Sequence, residues 1–403
     1  MQRLMNNIMK VENFLAQKSI NYDKIDRFLM FRMYEKYKKY FKNIPIIQLI
    51  GTNGKGSTGR YLTQLLENLN YKIGHYTSPH IFSFNERFYL DGKIANDEEL
   101  EQAHIRLEEI FKQDLQKLSY FEYATFLAMI LFQKCDFIVL EAGVGGEYDA
   151  TSVFERRMNI FTRIGFDHIQ ILGNSLEDIA RTKLKVMAPI ALISDEQEQN
   201  VLNLAKKIAF LKKANLQVSS LNPFLKETFE IYCKKFVLPC FLKHNLKLAL
   251  KACEILTSQE KTLEALKKLQ ELNLQGRCQE ISPNFFVDVG HNPMAAKAMI
   301  DKFQGEKINL IYNAYLDKDI FQILNTLKPI IDTIQIYKYK SVERKLADDE
   351  IYSIASKLGI QCKEFVKLEE NKKNLVFGSF MLVENFLKEW CGKKYIHYYH
   401  YRY

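Results

Sequence analysis

No uninterrupted apolar run in this sequence approaches the roughly 18 residues that a membrane-spanning helix requires, so nothing in it reads as an integral membrane segment. The opening stretch MQRLMNNIMKVENFLAQK lacks both an apolar core segment and a small-residue cleavage site. It reads as an amphipathic helix rather than a signal peptide, and the expected compartment is the cytoplasm. Cysteine is sparse: Cys135, Cys233, Cys240, Cys253, Cys278, Cys362 and Cys391 are scattered, odd in number and without a CxxC pair. That excludes a disulfide framework and a cysteine-built zinc site, and leaves free, mostly buried thiols as the expectation. A long basic arm is also missing. The net charge of +9, from 57 basic and 48 acidic residues, is spread along amphipathic segments. Nucleic acid is therefore not the expected partner, whereas small anions such as nucleotides or polycarboxylates suit a mild positive bias. The tail KKYIHYYHYRY interleaves aromatic and basic residues, and a packed or irregular terminus is preferred there over an RNA-binding arm. There is no internal repeat and no low-complexity linker.

What is present is ample core-forming material, 47% hydrophobic residues in 403, enough for two or three domains. Its most informative stretch is IPIIQLIGTNGKGST, residues 44–58, a short apolar strand running into a glycine-rich loop. Gly51, Gly54 and Gly56 allow backbone N–H groups to converge on an anion, and the helix that follows adds its N-terminal dipole. Lys55 is placed to neutralise outer phosphates, while Ser57 or Thr58 offers a hydroxyl for Mg²⁺. The spacing departs from GxxxxGK[ST], with one residue fewer before the second glycine and a glycine between lysine and serine. On these residues alone, a strand-to-helix turn that binds nothing remains the alternative.

Apolar strands and amphipathic helices alternate along the chain. A helix from about Ser57 to Leu69 leads to the strand YKIGHYT, then SPH; helices follow near 97–117 and 121–134; DFIVLE (136–141) and NIFTRIG (159–165) are further strands, the latter ending at Asp167 and His168 before a helix capped by Ser175. This pattern predicts an α/β fold with a mainly parallel sheet, whose ligands sit at the carboxyl ends of the strands. The polar groups fall there: GTNGKGS, TSPH, Glu141, and Asp167 with His168. A second α/β unit begins after LNLQGRCQE, with strands FFVDV, INLIYNA, TIQIYKY and NLVFGS and a helix that Pro293 can start. The boundary is expected at 276–284, giving domains 1–278 and 279–403.

In order, GTNGKGS (51–57), TSPH (77–80), NER (85–87), FEYAT (121–125), EAGVGGEYDATS (141–152), IGFDHIQILGNSLEDIARTK (164–183), GR (276–277), DVGHNP (288–293) and DKD (317–319) resemble the folylpolyglutamate synthase family of the Mur ligase superfamily, whose members are often dihydrofolate synthases as well. The resemblance spans nearly the whole chain and implies a P-loop ATPase domain followed by a smaller Rossmann-like α/β domain, with the active site between them. It implies ATP and Mg²⁺ as cofactors and an acyl-phosphate route to an amide between a folate carboxylate and L-glutamate, with dihydropteroate favoured as a second substrate. Gly51, Thr52, Asn53, Gly54, Lys55, Gly56, Ser57 and Thr58 would cradle ATP, helped by Asn245, Arg277, Asp288 and His291. Ser57, Ser78, Glu141, His168 and Lys183 would serve the metal, the lysine as a carbamate, and Lys55, Glu141, His168 and Lys183 are the catalytic candidates. Asp149, Thr151 and Ser152 would lie by the folate or glutamate, with residues 20–30 covering that pocket. His244, Asn292 and Asp317 to Asp319 match less sharply defined family positions. TKLKV (182–186) stands where EKAGI is usual, and Glu147 where many members have arginine. Substrates are expected to be small molecules only, acting on a monomer. The competing readings are a different amino-acid ligase of the superfamily, such as one acting on a peptidoglycan precursor, a nucleotide-binding regulator without catalysis, and a nucleic-acid binder.

Overall fold

The computed structural model describes residues 10–18, 26–341, 344–390 and 392. The start of the expected N-terminal helix, residues 20–25 of the proposed pocket cover, Cys391 and the aromatic tail lie outside them. Lys10–Ala16 is helical and buries Val11 and Phe14. No helix among the described residues is long and apolar enough to cross a membrane, and the six described cysteines are free thiols, four of them buried.

The chain divides into two compact units. The first comprises the described residues of Met1–Ser78, Phe84–Phe236 and His244–Leu272, and the second Pro79–Ser83, Val237–Lys243 and the described part of Asn273–Tyr403. The first unit is built on eight strands: β1 (Ile46–Ile50), β2 (Ile73–Tyr76), β3 (Phe88–Leu90), β4 (Lys93–Ile94), β5 (Phe137–Glu141), β6 (Met158–Phe161), β7 (Ile190–Ile193) and β8 (Asn215–Val218). They lie in the order β4-β3-β2-β5-β1-β6-β7-β8. From β2 through β5, β1, β6 and β7 to β8 every neighbouring pair is parallel, while β3 pairs antiparallel with both β2 and β4. The hairpin edge escapes a reading based on strand–helix alternation because its strands have only three and two residues.

All five residues of β1 are buried, because helices cover both faces of the sheet. Alternate side chains point to opposite faces: Leu49 lies under helix Lys55–Glu67 near Gly59, whereas Ile46 and Ile50 join the apolar clusters of the other face. Local sequence starts the helices, at Ser175 as anticipated. Ser175 accepts from the Asp178 N–H, and Asn96 with Glu99 and Ser119 with Glu122 form reciprocal capping boxes.

The second unit holds β9 (Gln279–Ser282), β10 (Phe285–Asp288), β11 (Ile308–Tyr312), β12 (Ile331–Ile336), β13 (Gln361–Glu364) and β14 (Lys373–Phe377), in the order β13-β12-β11-β14-β10-β9. Only β9 runs antiparallel. Ile308, Leu310 and Tyr312 enter one apolar cluster and Ile311 the other, so this sheet too is covered on both faces. Helix Pro293–Lys302 begins where Pro293 allows it, with Asn292 as its cap.

Candidate active site

Four neighbouring parallel strands, β2, β5, β1 and β6, end on the same edge, so their following segments are the TSPH turn, Glu141, the GTNGKGS loop and the Asp167–His168 segment. Within the first unit, Thr77 and Ser78 of TSPH, Glu141, GTNGKGS and Asp167 with His168 therefore follow strands of one edge, as the alternation of strands and helices predicts; Pro79 and His80 belong to the second unit. The glycine-rich loop is fastened to the segment after β6: Thr52 N–H donates to the Arg163 carbonyl at 2.9 Å, and the Thr52 hydroxyl donates to the Gly165 carbonyl at 2.9 Å. Gly54, the cap of helix Lys55–Glu67, has φ +89°, and a Cβ there would lie 2.5 Å from Asn245 Oδ1. Both the left-handed backbone and the close approach demand glycine.

Lys55 and Lys183 converge. Lys55 Nζ reaches the carbonyls of Gly51 and Thr52, each at 3.3 Å, and lies 3.9 Å from Glu141 Oε1. Lys183, buried on helix Leu176–Leu184, donates to the same Gly51 carbonyl at 3.0 Å. Burial, then the charge of Lys55, pushes the Lys183 amine down to about 7, against the opposing pull of Asp167 and Asp149. Glu141 is also buried. Its Oε2 accepts from the Thr77 hydroxyl and from the Ser78 N–H at 3.1 Å.

Ser57 accepts from Asn245 Nδ2 at 2.8 Å, so Asn245, expected near the nucleotide, sits against the first turn of helix Lys55–Glu67. Ser57 and Thr58 are both buried, and the Thr58 Oγ1 has no hydrogen-bond partner among the described residues. His244 Nε2 is 3.5 Å from Glu196 Oε1. His168, exposed and with φ +50°, caps the short helix Ile169–Leu172 and lies 3.9 Å from Asp167. Among the described residues no three or more His, Cys, Asp and Glu side chains gather as a metal cage. Mg²⁺ does not need one: it retains waters and substrate phosphate oxygens and commonly uses one or two carboxylates. A lone buried carboxylate with one oxygen left toward the phosphate loop, beside a serine, fits that donor set.

Asp149, Thr151 and Ser152 are buried, and their side-chain bonds run inward. Asp149 Oδ2 accepts from the Gly143 and Val144 N–H groups at 2.8 and 3.0 Å, and Oδ1 from the N–H and hydroxyl of Thr151. Gln48, on β1, donates to Thr151 at 2.7 Å and Ser152 at 2.8 Å, while Asn159 on β6 donates to Gln48. These contacts give the three residues the shaping of the 143–152 loop. Glu147 of that loop pairs with Lys185 at 2.8 Å, so the unusual glutamate meets the second lysine of TKLKV.

In the second unit, Asp288 is buried at the end of β10. Its carboxylate accepts from Cys278 N–H at 2.8 Å and Gly290 N–H at 2.7 Å; burial raises its pKa while nearby Arg277 opposes that shift. Gly290 leaves no room for a side chain, since a Cβ would lie 2.6 Å from that of Ala295. Arg277 stacks 5.3 Å from the Phe380 ring centroid, and His291 Nδ1 is 3.1 Å from the Val289 carbonyl. Asp317 pairs with Arg344, and Asp319 caps helix Ile320–Leu327.

Thr77 and Gln48 were not singled out in the sequence. Thr77 sits beside Ser78 in TSPH, and Gln48 is a polar residue inside the otherwise apolar IIQLI; a polar break in a fully buried strand signals a partner.

Residues 50–223 match the Mur ligase middle domain. The chain is 30% identical over 390 residues to the dihydrofolate synthase/folylpolyglutamate synthase of Haemophilus influenzae, covering 85% of this chain and 88% of that protein. It is 40% identical to the Helicobacter pylori folylpolyglutamate synthetase crystal structure, with a TM-score of 0.75 over 94% of this chain and 97% of that one. Escherichia coli FolC in complex with DHPP and ADP, 23% identical, shares the fold at a TM-score of 0.76, again over 94% and 97% of the two chains. By sequence along most of its length and by fold, the chain belongs to the dihydrofolate synthase/folylpolyglutamate synthase family of ATP-dependent ligases.

Proposed function

We propose that this protein joins the amine of L-glutamate to the carboxyl group of tetrahydrofolate and of dihydropteroate at the expense of ATP. The observation that carries the reading is the meeting of Lys55, Lys183 and Glu141 at the glycine-rich loop: two amines on the Gly51 carbonyl, one of them facing the carboxylate. The H. influenzae relative carries both synthase names, which supports acceptance of both substrates.

A carboxylate is a poor acyl donor because its oxygen leaves badly, so it must first be phosphorylated. The folate carboxylate oxygen attacks the γ-phosphorus of ATP and ADP departs. The glutamate amine then attacks the acyl carbon, phosphate leaves and the ammonium proton is lost. Two anions approach in the first step, and fixed cations offset their repulsion. Lys55 supplies one such charge, held toward the loop by the Gly51 and Thr52 carbonyls. Mg²⁺, when bound, neutralises phosphoryl oxygens, with Ser57, Ser78, Glu141, His168 and carbamylated Lys183 as the residues to hold it. Asn245 fixes the Ser57 hydroxyl, and Arg277, Asp288 and His291 are assigned to the nucleotide. A regulator that only binds nucleotide would have no use for the buried Glu141 and Lys183 beside the loop.

The protein is taken to act in the cytoplasm as a monomer on small molecules. Purified protein incubated with ATP, Mg²⁺, L-glutamate and either dihydropteroate or tetrahydrofolate should release phosphate and yield a product one glutamyl residue heavier. Absence of a glutamylated product from both substrates refutes the reading.

A further inference from the structure

Glu141 ends β5 only 4% exposed, and its two oxygens have different surroundings. Oε2 accepts from the Thr77 hydroxyl and from the Ser78 N–H at 3.1 Å, whereas Oε1 faces Lys55 Nζ at 3.9 Å. Thr77 is 5% exposed, so its hydroxyl has little water to turn to. Its backbone N–H donates to the Arg87 carbonyl at 3.0 Å, tying the segment after β2 to the start of β3. The donor is thus fixed from behind before it meets the carboxylate.

We propose that Thr77 is a positioning residue for the metal-dependent step, setting the Glu141 carboxylate so that Oε1 is the oxygen presented to a divalent cation. The inference rests on the proposed role of Glu141 in a Mg²⁺-ATP ligase and adds a residue that acts through it without touching the cation. A hydroxyl has one proton. Donated to Oε2, that proton stops the carboxylate from rotating about its last bond and leaves Oε1 free of Thr77 and Ser78. Without it, the Ser78 N–H alone would hold the group, and either oxygen could turn toward the cation or toward Lys55. Residues that orient a ligating carboxylate in this way commonly govern metal affinity by about 10- to 100-fold.

The test compares wild type, Thr77→Val, Thr77→Ser and Glu141→Gln. Mn²⁺ binding is followed by the electron paramagnetic resonance of the free ion in the presence of a nonhydrolysable ATP analogue, alongside the Mg²⁺ dependence of turnover. Thr77→Val should weaken Mn²⁺ binding by about 10-fold or more and raise the half-saturating Mg²⁺ concentration by a similar factor. The KM for glutamate should stay unchanged, and Thr77→Ser, which keeps the donor, should restore wild-type behaviour. A purely structural role would lower the active fraction and leave the metal midpoint in place. Thr77→Val binding Mn²⁺ as wild type does, or Thr77→Ser failing as Thr77→Val does, overturns the inference. If Thr77→Val does not fold, Thr77→Ala is judged by the same metal midpoint. Wild type that binds Mn²⁺ no better than Glu141→Gln overturns the metal reading of Glu141, and this inference with it, whereas glutamate ligation by wild type is judged separately by product mass.

Discussion

Lys183 and Lys55 share one acceptor, the Gly51 carbonyl oxygen, at 3.0 and 3.3 Å. Burial disfavours the Lys183 charge, and repulsion from the neighbouring Lys55 ammonium adds to it, so its amine is lowered to about 7. An ordinary lysine near 10.5 would be almost wholly protonated at neutral pH and inert toward CO₂. Lys183 instead exposes a substantial neutral fraction, the form that adds CO₂ to give a carbamate. Intact mass under mild conditions should therefore rise by one CO₂ at high bicarbonate and fall back at low bicarbonate, and Lys183→Arg should abolish the shift. An unmodified mass at every bicarbonate concentration counts against it.

The phosphate role of Lys55 is tested with both acceptor substrates. Lys55→Ala should lower turnover with dihydropteroate and with tetrahydrofolate by about 10²- to 10³-fold, the usual cost of losing one fixed charge-stabilising group. Both losses should match, because the two substrates share one ATP site. Retained turnover with either substrate contradicts the assignment.

Much of this site was legible because its parts lie next to strand ends, where local pattern and sheet topology coincide. GTNGKGS, TSPH, Glu141 and His168 could be placed on one edge from the order of apolar strands and helices alone. The direction in which a side chain points was less accessible. Asp149, Thr151 and Ser152 are in the expected loop, yet their bonds run to backbone and to Gln48, a partner about a hundred residues away in sequence. Nothing local to DATS announces that partner. The β3–β4 hairpin was hidden because strands of three and two residues carry almost no periodic signal, and nothing local to QEIS showed that β9 pairs antiparallel with β10.

The Gln48 network predicts a stability effect. Gln48→Leu keeps the approximate size but removes the donor to Thr151 and Ser152 and the acceptor of Asn159 Nδ2, all in the interior. Leaving buried polar groups unpaired costs about 1–3 kcal/mol each, so a loss on the order of 2–4 kcal/mol is expected after partial relaxation. Urea denaturation measures it. A variant within about 0.5 kcal/mol of wild type, the range of ordinary surface substitutions, would show that the network is dispensable.

Asn245 and Gly54 make a separable pair. Asn245→Ala frees the Ser57 hydroxyl and removes the amide that crowds Gly54, and should raise the KM for ATP by about 10-fold, the cost of one hydrogen bond to a site group. Gly54→Ala should be worse, because it forces a Cβ onto Asn245 and a side chain onto a backbone at φ +89°. Combining the two changes removes the clash but not the backbone strain, so the double variant should recover only part of the loss. Full recovery would mean that crowding alone makes Gly54 necessary.

Glu67 gives the first unit a pH dependence unrelated to catalysis. It lies at the last position of helix Lys55–Glu67, where burial raises its carboxyl to about 7 despite the Gly92 N–H at 3.0 Å and nearby Arg60 and Tyr89; Asp91 adds to the rise. In the unfolded chain the same carboxyl titrates near 4.5. Between those values the folded protein retains a proton that the unfolded chain has released, so stability falls as pH rises from about 4.5 to about 7 and this contribution changes no further above it. Glu67→Gln keeps an oxygen for Gly92 and removes the ionisation. Relative to wild type it should gain on the order of 1–3 kcal/mol at pH 8 over its relative stability at pH 4.5. Parallel pH–stability curves from urea denaturation, with no divergence across that window, would exclude the carboxyl of Glu67 as its source.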